Sequence, residues 1–268
     1  MGVIQQRTTL AFPGGLAAQN RLHPMALGAR YAGVASPGGG FIDLLTGKPS
    51  VPTNGTPTTT VLSGSGPGVP TNTSTVYNAI ANSYSDSPSS VTMAAILTIT
   101  ASPPGNPAVI FSTRSTITGA SGIFWGLAGI FNCFANGAGV LLGASFILTV
   151  GQAYFVASSF RNGLQNFVAI NLKTGRILTT TGTSAMTMTV GTGSYAIGVA
   201  TAGQHPNASI SAVAYSINNF MSLERLLQWA RAPWDYWYPP VMGDLMSSAL
   251  IGSSGITGAS QARVIMLA

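Results

Sequence analysis

The sequence predicts an all-β sandwich with one short helix near its carboxyl end. Three observations carry that expectation. Runs rich in β-branched and aromatic residues recur through 91–217, turn-forming Gly, Pro and Asn separate them, and helical spacing shows only after Asn218. Short strands broken by turn signals at intervals of about 8–12 residues belong to sandwiches and barrels.

The first strand signal is 91–101, which alternates and is rich in Ile, Thr and Val. A second, at 108–111, follows the turn-prone Pro103-Pro104-Gly105-Asn106-Pro107. Further runs lie at 123–128, 130–134, 145–150 and 154–160. Asn162-Gly163 then supplies a two-residue hairpin turn, where positive φ is required. Strand 167–172 leads into Lys173-Thr174-Gly175, a second turn, and 176–179 continues beyond it. Runs at 195–200 and 210–217 complete the set. A helix follows, capped by Asn218, Asn219 or Ser222, with Leu223, Leu226, Leu227 and Ala230 on one apolar face and Pro233 as its stop.

Outside these runs the chain changes character. Residues 1–35 lack clear periodicity and are expected to form an arm or edge segment. A single β-sandwich domain is expected over 36–240, interrupted by a Pro-, Gly-, Ser- and Thr-rich loop tract at 47–90. Residues 241–268 are expected to be a tail of small and apolar residues, suited to adding onto a neighbour's sheet edge.

Composition narrows the function. Only 6% of the 268 residues are charged, against roughly a quarter in ordinary soluble domains. A chain so poor in charge is suited to having its surface covered by neighbours. The net charge is +6, but the arginines are spread from Arg7 to Arg263 with no basic run, which argues against specific nucleic-acid binding. The apolar stretch between Arg114 and Arg161 is broken by Gly and Asn too often for a membrane span. The single cysteine, Cys133, sits in an apolar run and reads as an inert buried thiol.

Chemistry-bearing residues are few. Hydrolysis of glycosides generally needs two carboxylates flanking the bond, and Asp43, Asp86, Glu224, Asp235 and Asp244 include no pair at strand-alternating spacing. No Gly-x-Ser-x-Gly elbow occurs, and His23 and His205 each precede a proline in a loop-like context. The acids are too sparse to suggest a calcium site, and Gly64-Ser65-Gly66-Pro67-Gly68 has no Walker lysine. The expectation is a protein that is not an enzyme and has no cofactor. One cluster stands out: Trp234, Tyr236, Trp237 and Tyr238, close behind the helix. These rings read either as a seal on one edge of the sandwich or as a contact for a glycan or a partner protein.

Several strings resemble a known group. Leu22-His23-Pro24-Met25-Ala26-Leu27-Gly28, then Phe41-Ile42-Asp43-Leu44-Leu45-Thr46-Gly47 and Thr53-Asn54-Gly55, are similar to an opening seen in many tailed-phage proteins. Ser222 to Trp234 resembles the closing helix and aromatic finish of the same group, and 154–177 its central hairpin. The group is the concanavalin A-like, laminin-G-like jelly roll of tailed bacteriophages, and the resemblance covers about residues 22–240. It implies a structural virion protein, in capsid decoration or in a tail or fibre, assembled in the host cytoplasm. Its expected partners are other virion proteins and copies of itself. The alternative is a glycan-binding module that recognises the host surface. Fold alone cannot choose between them.

Overall fold

In the computed structural model the described residues are 17–52, 59–62, 65–71, 77–82, 88–102, 108–112, 122–126, 130–134, 149–183, 193–198 and 206–239. They form a 3-10 turn at Pro24–Ala26, then β1 (Ala29–Ala35), β2 (Phe41–Asp43), β3 (Val51–Pro52), β4 (Thr60–Leu62), β5 (Gly66–Pro70) and β6 (Tyr77–Asn82). Next come β7 (Ser90–Ile99), β8 (Ala108–Ser112), β9 (Gly122–Gly126), β10 (Ile130–Phe134) and β11 (Ala153–Arg161). The series closes with β12 (Leu164–Asn171), β13 (Ile177–Gly182), β14 (Gly193–Ile197), β15 (Ala208–Ile217) and the helix α1 (Leu223–Arg231).

Two antiparallel sheets result, so the expected all-β sandwich is the fold observed. The first sheet runs β13-β12-β11-β7-β15-β1-β2, with β5 on β15 and β4 on β5; the second runs β10-β9-β8-β14-β6-β3. The β11–β12 hairpin turns at Asn162-Gly163, with Gly163 at φ 76°. At the next turn the Asn171 carboxamide oxygen accepts from Lys173 N at 2.9 Å and Thr174 N at 3.0 Å.

The centre of the first sheet is buried on both faces. Strands β7 and β15 are buried at every position, because alternate side chains enter different cores. Val91, Met93, Ala95 and Leu97 face the second sheet, joined by Tyr154, Val156, Phe167, Val213 and Tyr215. Ala94, Ile96, Phe155, Ala157, Val168 and Ala214 face the other way, onto Leu226, Trp229 and the aromatic segment behind α1. Between the sheets Phe111 stacks on Tyr31 at 6.2 Å and tilts against Tyr215 at 5.8 Å, centroid to centroid.

Three expectations need correction. Residues 29–35 are no arm or edge: β1 is paired on both sides, with β15 and with β2. Its sequence is mostly small residues, so it carries no strand signal; Gly33 is small because the Tyr31 ring occupies the place of a β-carbon, 2.4 Å from the Tyr31 hydroxyl. The tract 47–90 contains strands β3 to β6. β5 forms despite two prolines because its pairing with β15 is brief, Ser209 opposite Pro70 and Ile210 opposite Val69. Of the run 145–150, the described Thr149 and Val150 lie in a turn, where Gln152 N donates to Thr149 O at 3.2 Å. Residues 1–16 and 241–268 lie outside the described residues, as do the side chain of Cys133 and all of His205, Asp86 and Asp244. Among the described residues, no helix is long and apolar enough to cross a membrane.

Candidate functional site

The aromatic cluster is positioned by α1. Ser222 caps the helix, its hydroxyl accepting from Arg225 N at 3.3 Å. Glu224 in the first turn and Arg231 in the last complement the helix dipole. Leu226, Trp229 and Ala230 form the buried stripe. After the helix the chain folds back in tight turns: Asp235 N donates to Ala232 O at 3.1 Å, and Trp237 N to Trp234 O at 3.0 Å. Trp229 Nε1 meets Pro233 O at 3.2 Å, and Trp237 Nε1 reaches Val213 O of β15 at 3.3 Å.

These bonds turn the rings inward. Trp234 is 3% exposed, and Tyr236 and Trp237 are fully buried. Trp229 sits 5.7 Å from Trp237 and 5.9 Å from Tyr236, and 5.1 Å from Phe155 in the sheet below. Tyr238 is half-buried, edge-on to Trp234 at 5.7 Å. The structure therefore brings all four residues together, but as a core layer. Trp234, Tyr236 and Trp237 present no face on which a sugar could stack, which corrects the contact role considered for them; Tyr238 alone of the four reaches the surface.

A second segment completes the cluster. Residues 17–22 lie along the closing turns, with Ala18 N on Trp237 O at 2.9 Å and Asn20 N on Tyr236 O at 2.8 Å. Gln19 Nε2 donates to the Tyr236 hydroxyl at 3.0 Å. Burial pushes the Tyr236 phenol up to about 12; the Gln19 bond opposes that, and the nearby Asp43 charge adds to it. His23 then packs on Trp229 at 4.7 Å and on Tyr236 at 5.4 Å. Reading His23 as a plain loop residue misses this role, since nothing local marks a half-buried ring that is packed against residues more than 200 positions away.

The acids are placed structurally. Asp43 is buried, its Oδ1 accepting from Ala32 N at 3.0 Å and Leu45 N at 3.2 Å, and its Oδ2 from the Thr46 hydroxyl at 2.8 Å. Glu224 is exposed on α1, and partial burial pushes the Asp235 carboxyl up from its ordinary value. Among the described residues, no three of His, Cys, Asp and Glu gather where they could hold a metal ion.

No family model and no curated protein matches this chain. Solved structures do. Domain 4 of AbnA, a GH43 extracellular arabinanase from Geobacillus stearothermophilus, was solved in complex with arabinotriose. It matches with a TM-score of 0.56 at 12% identity, over 75% of this chain and 98% of that one. A Trypanosoma rangeli sialidase in complex with 2,3-difluoro-KDN matches at 0.53 and 10% identity, over 77% of this chain and 33% of its own. Tailspike protein 2 of an Escherichia coli O157:H7 bacteriophage gives 0.49 at 17% identity, over 68% of this chain and 27% of its own. The first two establish a shared fold. They also overturn the expectation that the chain is not an enzyme: this fold occurs within glycosidases, so the missing carboxylate pair in the sequence is no ground for excluding one.

Proposed function

We propose that this chain is a structural module of a virion, packed against copies of itself and against other virion proteins. Its scarcity of charge carries the reading: 6% charged residues leave a surface that is better covered than solvated. Local features agree. Leu22 is 93% exposed and Leu27 67%, on either side of the 3-10 turn. Among the described residues β13 ends the first sheet, and its outward Thr179 and Thr181 are neither charged nor proline, the usual guards of a sheet edge. The phage-like strings around Leu22-His23-Pro24 and Phe41-Ile42-Asp43 point the same way. In this reading the segments 1–16 and 241–268 lash the sandwich to its neighbours. Cryo-electron microscopy of purified particles tests it. The sandwich is expected in the head or tail density, with both end segments ordered against neighbours; particles that lack the chain contradict the proposal.

One observation favours a second reading, a carbohydrate-binding module used in host recognition. The chain matches almost the whole of an arabinanase domain that was solved with arabinotriose. With Trp234, Tyr236 and Trp237 buried, a sugar would be met by Tyr238 or by surface loops. A glycan array with the intact chain tests this, and binding that survives Tyr238→Ala would move the sugar to the loops.

A further inference from the structure

Residues 17–27 form a strap across the aromatic layer. Most of its ties are neutral hydrogen bonds: Ala18 and Asn20 to the backbone of Trp237 and Tyr236, Gln19 to the Tyr236 hydroxyl. At its far end the Asn219 amide donates to Pro24 O and Leu27 O, each at 2.9 Å. None of these groups changes protonation between pH 3 and pH 9, a span well clear of amides and of a buried phenol.

His23 differs. Its Nδ1 accepts a hydrogen bond from Met25 N at 3.1 Å, which only an unprotonated nitrogen can do. Protonation would set one N–H against another. Among the described residues, the faces around the ring offer no compensating charge. From α1 it meets Trp229, and from the closing turns Tyr236. Asp43, the acid that acts on Tyr236, is committed to Ala32, Leu45 and Thr46. Asp235, in the closing turns, has its carboxyl raised from the ordinary value by partial burial, while Arg21 of the strap and Glu224, Arg225 and Arg231 of α1 are exposed. Attraction between an imidazolium and the two rings offsets part of the cost of charging it. Burial still wins, and lowers the His23 pKa from 6.5 to about 4.

We propose that the strap is an acid-opened clasp: protonation of His23 frees residues 17–27 from Trp229 and Tyr236 while the two sheets stay folded. Opening would bare an aromatic layer that is otherwise sealed. The sign follows from linkage. With the strap closed the ring stays neutral down to about pH 4, and with it open the ring titrates near its ordinary 6.5. Opening therefore takes up a proton in that window, becoming about 300-fold more favourable as pH falls through it.

Hydrogen exchange of the full chain from pH 7 to pH 4, corrected for intrinsic rates, tests this. The Ala18 and Asn20 amides are expected to lose protection by about 100-fold or more, while β7 and β15 amides do not follow. In His23→Phe, which keeps a ring in place, the strap's dependence on pH should vanish; in His205→Gln it should persist. Should His23→Phe fail to fold, an NMR titration of His23 in the native chain decides instead: a pKa near 4 supports the clasp. A His23 pKa near 6.5, an equal loss of protection in β7 and β15, or an unchanged slope in His23→Phe overturns it.

Discussion

On one face of the first sheet, Tyr31, Phe111 and Tyr215 meet as rings between two sheets, with further rings such as Tyr154 and Phe167 and aliphatic side chains filling the remainder. On the other, α1 and residues 232–238 rest on small side chains such as Ala94, Ala157, Ala212 and Ala214. Small residues let the cover approach closely, and buried polar groups fix where it lands. Asn166 Nδ2 donates to Met221 O at 3.1 Å, and Met221 N to the Ser159 hydroxyl at 2.8 Å. Thr92 reaches both the Ser159 hydroxyl and Asn219 O, while the Asn219 amide holds the 3-10 turn. One face is closed by volume, the other by volume plus address. Burial without direction would leave a helix free to slide; a fully bonded polar network does not.

Substitutions separate the two. Phe111→Ala empties a ring-sized space between the sheets and should cost about 3–5 kcal/mol, read from chemical denaturation. A loss under about 1 kcal/mol would mean that the sheets do not meet there. Gly28→Ala strikes the second face next. A β-carbon there would lie 1.9 Å from Ile217 O, at a φ of +68° that side chains resist. About 3 kcal/mol is expected, with the strap amides affected more than those of β11. For Asn219→Ala, two carbonyls lose their donor, and about 2 kcal/mol should go with little change in denaturant slope. Smallest is Ser222→Ala, about 1 kcal/mol from the lost helix cap.

The same contrast explains what could be read from the sequence. The sheet-facing alternation of β7, β11, β12 and β15 is legible because each strand carries its own apolar residues. The Asn162-Gly163 turn and the Ser222 cap are equally local signals. β1 and β5 are not legible, since Ala, Gly and Pro give them no strand character and their pairing is dictated by β15. Nor is the strap. Its anchors, Gln19, His23 and Asn219, are ordinary polar residues until the fold brings Tyr236 and Trp229 against the first two and the 3-10 turn against the third. For the aromatic cluster the sequence shows four rings close together but not which way they turn. Their direction is set by Trp237 Nε1 reaching β15, a contact 24 residues away in the chain.

The most direct test of the second face is tryptophan fluorescence in a Trp125→Phe variant, which leaves Trp229, Trp234 and Trp237 as the emitters. At neutral pH the emission should be that of buried indoles, shielded from acrylamide and unmoved by added oligosaccharides. Emission typical of solvated indoles, or a shift produced by sugar, would contradict the sealed aromatic layer.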